Sequence, residues 1–190
     1  MKNDDLLLNS LEEFYQGRNA EELIKILNNQ KNVSLRSIDW FITNYSKKNN
    51  IHYAIYKDLS GNPTFEPNNS FHMNLNVFQS YKSQLKAYSK KKFDPFCRRD
   101  RIEFRCGHEI VETTIGQLNF FRWAISNLIT DYILLHKKEI EVDMNTCLKN
   151  MKLNGSLMKK NGLRKRRQEL SLSATRGLSR NNISVTLDFT

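Results

Sequence analysis

The chain has 190 residues, with 30 Lys and Arg against 20 Asp and Glu, so its formal net charge is +10. This length limits it to one domain, or one domain with a tail. Hydrophobic residues make up 39% of the chain, which argues against wholesale disorder. No stretch approaches the roughly 20 apolar residues of a membrane-spanning helix, and the N-terminus lacks the basic and apolar regions of a signal peptide. We therefore expect an intracellular protein. The three cysteines form no CxxC pair, which favours reduced thiols.

The positive charge is concentrated in two blocks. Residues 81–105 contain nine basic and three acidic groups, a net charge of +6, and residues 151–190 contain nine and two, a net charge of +7. Residues 1–80 and 106–150 are slightly acidic, with net charges of −1 and −2. Attraction to a polyanion is therefore expected from two separate segments.

The first 50 residues are predicted to be helical. Apolar residues recur at three- and four-residue spacing over 7–15, and Asn19 with Glu22 has the form of a capping box that opens a second helix through Leu27. Ser34 is predicted to cap a third helix. Its buried face is predicted to hold Leu35, Ile38, Phe41, Ile42 and Tyr45. Its solvent-facing side is predicted to hold Arg36, Asp39, Thr43 and Lys47.

The next segment changes period and then returns to helical spacing. IHYAIY (51–56) and residues 71–77 alternate between apolar and polar positions, which predicts two strands with a long connection. Residues 78–88 have helical spacing, and three lysines lie at four-residue intervals beside the apolar stripe: Lys82, Lys86 and Lys90.

Pro95 is predicted to end the helical geometry, and a hairpin is expected to follow. Its strands are residues 102–106 and 109–112, joined by a turn at Gly107 and His108. Thr114 with Gln117 is predicted to cap a helix over residues 115–135, the strongest periodicity in the chain and its expected central core element. A further helix is expected to continue to Met151.

The predicted fold is α+β: a helix-rich single domain with a small antiparallel sheet and a basic C-terminal extension. The globular domain is placed at residues 1–153, a basic linker or arm at 154–182, and a terminal strand at 183–190. Ile183, Val185, Leu187 and Phe189 alternate with polar residues, so this strand is expected to dock on a sheet edge of the body or of a partner.

Four segments resemble a family of uncharacterised proteins encoded by nucleocytoplasmic large DNA viruses, the giant viruses. They are SLRSIDWFITNYSKK (34–48), YKSQLKAYSKKKFDPFCRRDRIEF (81–104), TTIGQLNFFRWAI (113–125) and SATRGLS (173–179). The resemblance covers most of the chain. It implies a eukaryotic-virus setting and supplies no catalytic residues.

The basic blocks are the strongest functional candidates, because Lys and the Arg fork contact phosphates. The first block supplies Lys82, Lys86, Lys90, Lys91, Lys92, Arg98, Arg99 and Arg101. The second supplies Lys159, Lys160, Arg164, Lys165, Arg166, Arg167, Arg176 and Arg180. Five aromatic residues are interleaved with the first block: Tyr81, Tyr88, Phe93, Phe96 and Phe104. Exposed aromatic side chains can stack on unpaired bases, so they are candidates for base contacts. For the first block, the alternative is a solvated helix face whose aromatic residues belong to the core. For the second block, the alternative is a solubilising tail or a nuclear-localisation signal.

Catalytic and metal sites have less support from the sequence. Cys97, Cys106 and His108 lie nine and two positions apart, which is poor spacing for zinc, so no metal is predicted. The four histidines show no triad spacing. A metal-dependent nuclease would use Asp94, Asp100, Glu103 and Glu112, yet neighbouring arginines are expected to neutralise these carboxylates in ion pairs. Trp40 and Trp123 are expected in the core or at an interface.

The sequence therefore predicts a non-enzymatic viral nucleic-acid-binding protein for genome packaging, replication or transcription. Its partners would be DNA or RNA, with other viral proteins as a further possibility, no membrane and no cofactor. The expected location is the cytoplasm or nucleus of the host, or the virion. The alternative is a structural or scaffold protein of the virion whose basic blocks meet acidic protein surfaces, and the nuclease is a third hypothesis.

Overall fold

The computed structural model describes residues 2–67, 71–88, 91–98 and 100–158. In chain order, the elements of this part are α1 (Lys2–Phe14), α2 (Arg18–Leu27), α3 (Leu35–Trp40), a π-helical segment (Phe41–Tyr45), α4 (Ser46–Lys48), β1 (His52–Lys57), β2 (Pro63–Thr64), β3 (Phe71–Asn76), α5 (Val77–Tyr88), β4 (Ile102–Cys106), β5 (Glu109–Thr113), α6 (Ile115–Ser126), α7 (Ile129–Leu135) and α8 (Lys137–Met158). This arrangement confirms the predicted helix-rich, single-domain α+β class.

The second helix begins differently from the prediction. Gly17 precedes it with a φ of 52° and no side chain caps it. The Asn19 amide instead donates to the Phe14 carbonyl at 3.0 Å, and Glu22 pairs with Lys31. The predicted capping box is therefore wrong, because both of its side chains serve contacts outside the helix end.

The third helix begins at its predicted cap and then changes pitch. The Ser34 hydroxyl accepts the Ser37 N–H at 3.0 Å. A π-helical turn adds a residue to the spiral after Trp40, which rotates the following side chains relative to an α-helix. Thr43 consequently points inward, is 1% exposed, and donates its hydroxyl to the Asp39 carbonyl. Its predicted place on the solvent-facing side is wrong for that reason.

The strands form two small antiparallel sheets. In the first, β1 lies between β2 and β3, and His52 to Ile55 pair with Met73 to Asn76. The second is the predicted hairpin of β4 and β5, in which Cys106 pairs with Glu109. Gly107 in its two-residue turn has a φ of 62°, a conformation that favours glycine.

The helix predicted over residues 115–135 is broken in two. Asn127 ends α6, and its side-chain amide donates to the Trp123 carbonyl at 2.7 Å. Leu128 then adopts a left-handed φ of 54° before α7 begins. The apolar period continues across the break because Leu128, Ile129 and Ile133 remain buried after the turn.

The core is centred on α6, as predicted. Nine of its twelve residues are buried, so this helix contacts protein on nearly all sides. Trp123 is 6% exposed and donates its indole N–H to the Ser80 hydroxyl, whereas Trp40 is 3% exposed and donates to Asp143. Both tryptophans are therefore core residues with satisfied donors.

The C-terminal predictions fall largely outside the described part of the chain. The helix α8 continues to Met158, five positions beyond the predicted domain boundary at 153. Residues 159–190, with most of the predicted arm and all of the predicted strand 183–190, lie outside the described residues. None of the helices between residues 2 and 158 that the structure describes combines the length and apolarity needed to cross a membrane.

Candidate nucleic-acid interface

One flank of α5 presents the lysines of the first basic block. The buried face of this helix holds Val77, Phe78 and Tyr81. Lys82 is partly buried and Lys86 is exposed, one turn further along the same flank. The two side chains therefore leave the helix about 6 Å apart along its axis, because four residues rise by 1.5 Å each.

A third lysine, Lys47 on α4, lies beside this flank and is not among the site residues predicted from the sequence. The Lys47 ammonium lies 5.5 Å from the centre of the Phe78 ring, one turn before Lys82 on α5. Because α4 packs beside α5, Lys47 extends the row of cations. Its only signal in the sequence was a Lys-Lys pair at the end of the third helix, more than 30 positions away.

The loop after α5 is fixed to α6 by buried polar side chains. The Gln117 amide donates to the Pro95 carbonyl at 2.9 Å, and the Asn119 amide donates to the Lys92 carbonyl at 3.0 Å. Both donors are only 2% exposed. Lys91 and Lys92 therefore project from a backbone that the core holds in place.

A glycine brings this loop into direct contact with α6. The Asp94 N–H donates to the Gly116 carbonyl at 3.1 Å. A Cβ atom at position 116 would lie 3.1 Å from the Lys91 carbonyl oxygen and 3.4 Å from the Lys92 carbonyl carbon. Because Gly116 has no side chain, the loop backbone can approach α6 closely, and a Cβ atom there would press against it.

Arg98 forms a fixed unit with Asp94 and Phe96. Its Nε and Nη2 atoms donate to the two Asp94 carboxylate oxygens at 3.0 and 2.9 Å. The guanidinium carbon lies 4.7 Å from the centre of the Phe96 ring. Asp94 also accepts the Phe96 N–H at 3.1 Å, so one carboxylate orients both neighbours.

The hairpin of β4 and β5 contributes two more arginines. Arg101 forms an ion pair with Glu112 at 2.5 Å across the hairpin, with both side chains 61% exposed. Arg105 is exposed on β4. An exposed ion pair of this kind adds little stability, and it offsets the charge that Arg101 would offer a phosphate.

Asp39 on α3 carries the most perturbed carboxyl group near this surface. Burial raises its pKa from 3.8 to about 6, the Asp94 carboxylate adds to the rise, and the Arg98 guanidinium opposes it. The Asp39 and Asp94 charges in turn add to the effect of burial in raising the pKa of Tyr81. Two carboxylates therefore meet Arg98 from different elements at the edge of the basic surface.

The aromatic side chains of the first block belong mostly to the core. Tyr81, Phe93 and Phe104 are 6%, 2% and 2% exposed. Tyr88 is partly buried and stacks on Phe93 with ring centres 5.8 Å apart. Phe96, beside Arg98, is the remaining aromatic of the predicted set and is partly buried.

The four carboxylates of the nuclease hypothesis do not form a cluster. Asp94 pairs with Arg98 and Glu112 pairs with Arg101, as the sequence led us to expect. Asp100 and Glu103 are exposed. Within the described part of the chain, no group of three His, Cys, Asp or Glu residues is placed to hold a metal ion.

The residues of the zinc hypothesis are in different surroundings. Cys106 is buried, and its thiol lies 3.5 Å from the Ala20 carbonyl oxygen. Burial, followed by the nearby Glu109 carboxylate, raises the pKa of Cys106 to about 11, so the thiolate that zinc requires is disfavoured. His108 is exposed in the hairpin turn and Cys97 is partly buried.

The structure describes only part of the predicted interface. Six predicted residues fall in described segments: Lys82, Lys86, Lys91, Lys92, Arg98 and Arg101. Ten predicted residues lie outside the described residues: Lys90, Arg99, Lys159, Lys160, Arg164, Lys165, Arg166, Arg167, Arg176 and Arg180. The described six lie on three consecutive pieces of chain: α5, the loop 91–98, and the start of the hairpin.

Comparison with known proteins identifies relatives without an assigned activity. Residues 1–162 match a family described as a family of unknown function, DUF7197. The chain is 42% identical over 136 residues to "Uncharacterized protein L507" of Acanthamoeba polyphaga mimivirus. That match covers 68% of this chain and 48% of the mimivirus protein, so the chain spans about half the length of this relative. No solved structure matches. The expected resemblance to giant-virus proteins is therefore confirmed, and the chain belongs to the DUF7197 family.

Proposed function

We propose that this protein binds nucleic acid through its phosphates, without reading base sequence, and acts in viral genome packaging, replication or transcription. The proposal places it in the infected host cell or in the virion. The observation that carries it is that four cations on and after α5, Lys82, Lys86, Lys91 and Arg105, form no ion pair within the described part of the chain.

These cations differ from several basic residues elsewhere in the fold. Among the residues that the structure describes, Lys82, Lys86, Lys91 and Arg105 form no ion pair. Three lysines outside the block are each held by carboxylates: Lys25, Lys31 and Lys48. Because an unpaired surface cation keeps its full charge for an incoming anion, these four cations are available for phosphate contacts.

The presentation of these cations also favours binding. The loop backbone is fixed to α6 through Gln117 and Asn119. A fixed loop loses less conformational entropy when it meets a ligand than a free chain does. The α5 lysines are similarly placed, on the flank of a helix whose buried face packs into the core.

The C-terminal block adds a second contact in this proposal. Residues 151–190 carry nine basic and two acidic groups, which would attract a polyanion strongly. If about five phosphates are neutralised in duplex DNA, the logarithm of the binding constant falls with the logarithm of the salt concentration at a slope of about −4 to −5.

The test is equilibrium binding of the full chain to a fluorescein-labelled DNA oligonucleotide, measured by anisotropy over a range of salt concentrations. The double variant Lys82→Gln and Lys86→Gln is expected to bind more weakly, with a slope shallower by about 2. The matched control is Lys138→Gln with Lys149→Gln, which removes two exposed helical lysines from α8. Equal affinity and equal slope for both double variants and the wild type would refute the proposal for this surface.

A further inference from the structure

We propose that Arg98, supported by Phe96 and held by Asp94, is a stacking platform for an unpaired base, so that the nucleic acid bound at this surface is single-stranded. This inference rests on the proposed function and names its substrate class. The platform lies at the end of the loop that follows the α5 lysines.

The geometry of Arg98 is that of a flat group fixed in place. Two of its nitrogen atoms donate to Asp94 at 3.0 and 2.9 Å, and its guanidinium carbon lies 4.7 Å from the Phe96 ring centre. The Arg98 side chain is nevertheless 63% exposed. The guanidinium is thus held at one edge and supported by an aromatic ring, at the end of a side chain that is largely exposed.

The support under Arg98 is anchored in the core. Asp94 has a side chain that is only 14% exposed, accepts the Phe96 N–H, and is tied through its own N–H to the Gly116 carbonyl. The orientation of the guanidinium is therefore set before any ligand arrives, and a stacked base would not have to order it.

The charge of Arg98 points to stacking rather than to phosphate attraction. The bidentate pair with Asp94 offsets part of its positive charge, and the Asp39 carboxylate interacts with the same guanidinium. The flat guanidinium surface is unaffected by that pairing, and guanidinium planes are among the groups on which splayed bases stack. The phosphates would instead meet the unpaired lysines of α5 and Lys91.

Single-stranded ligands follow from the same geometry. Bases within a duplex are already stacked on one another and gain nothing from a platform at the surface, whereas each unpaired base gains a stacking partner. The other aromatic side chains of the block offer less, because Tyr81, Phe93 and Phe104 are buried and the partly buried Tyr88 already stacks on Phe93. Arg98 with Phe96 is therefore the site where an unpaired base would be recognised.

The experiment compares a fluorescein-labelled single-stranded DNA 12-mer with the duplex of the same sequence, using the full chain and fluorescence anisotropy. Wild type is expected to prefer the single strand. Arg98→Lys keeps the charge and removes the planar group, so it is expected to weaken single-strand binding about five-fold or more while duplex binding stays unchanged. The matched control is Arg122→Lys, because Arg122 also lies over a ring, 5.2 Å from the centre of Phe14, outside the basic block.

The outcomes separate this inference from the proposed function. If wild type binds neither oligonucleotide, the proposed function itself fails. If wild type binds both and Arg98→Lys leaves their affinity ratio unchanged, or Arg122→Lys lowers it equally, the stacking platform is refuted and phosphate binding stands. Circular dichroism checks that each variant is folded. If Arg98→Lys does not fold, Phe96→Leu, which removes the ring beneath Arg98, is expected to reduce the ratio of single-strand to duplex affinity.

Discussion

The substitution Asp39→Asn tests the electrostatics at the edge of the basic surface. The folded protein raises the pKa of Asp39 from 3.8 to about 6, through burial first and the Asp94 carboxylate second, against the opposing effect of Arg98. A raised carboxyl pKa means that ionisation costs more in the folded than in the unfolded state. The full shift corresponds to about 3 kcal/mol, and partial access of water reduces this, so we expect about 1 to 3 kcal/mol.

The sign of the effect fixes the pH range of the experiment. Below about pH 4 the carboxyl is protonated in both states, and asparagine, its neutral isostere, is expected to leave the free energy of unfolding nearly unchanged. The penalty develops as the pH rises from about 4 to 6 and is constant above that range, so Asp39→Asn is expected to be the more stable protein at pH 7.5.

The assay is urea unfolding of wild type and variant at pH 4 and pH 7.5, followed by circular dichroism. The control is Asp100→Asn, because Asp100 is exposed. Its free energy of unfolding is expected to stay within about 0.5 kcal/mol of wild type at both pH values. A difference between Asp39→Asn and wild type that is the same at both pH values, or a variant that is less stable at pH 7.5, would refute the reasoning.

Three further predictions concern α6, the loop packed on it and the cysteines. Gly116→Ala places a Cβ 3.1 Å from the Lys91 carbonyl oxygen, so despite a gain in helix propensity we expect a lower melting temperature and weaker oligonucleotide binding, and an unchanged affinity would contradict the close contact. Thr114→Ala removes the cap that accepts the Gln117 N–H and should cost about 1 kcal/mol in urea unfolding, whereas Thr114→Ser should retain most of it. Cys106, with a pKa of about 11, should resist a thiol reagent at pH 8 until the protein unfolds, while Cys97 and Cys147 react in the folded state, and mass spectrometry would reveal the opposite order.

Most helices and strands were predictable from the sequence, because helix caps and apolar periodicity depend on residues close together in the chain. Ser34 and Thr114 each cap the helix that they precede, and the alternation at 102–106 forms the hairpin strand with Phe104 and Cys106 inward. The errors occurred where tertiary contacts override such signals. Asn19 matches a capping pattern, but its amide binds the preceding helix, and the π-helical turn that buries Thr43 leaves no mark in the apolar period.

The sequence indicates which basic residues form the candidate site, but not how the fold arranges them. Charge counting identified the lysines of α5 and the arginines after it. The spacing of residues along the chain does not indicate that Lys47 lies over Phe78. It also does not indicate that Gly116 and Asn119 hold the basic loop. Those contacts join residues 22 to 31 positions apart, and they appear only when the helices pack together.

A lysine-acetylation footprint tests the central claim most directly, because it reports which lysines a bound nucleic acid covers. The full chain would be acetylated with and without a single-stranded DNA 12-mer at low salt, and the modification of each lysine measured by mass spectrometry. The account predicts protection of Lys82, Lys86 and Lys91, and no protection of Lys138 and Lys149 on α8. Equal modification of Lys82, Lys86 and Lys91 with and without DNA, under conditions where the oligonucleotide is bound, would contradict it.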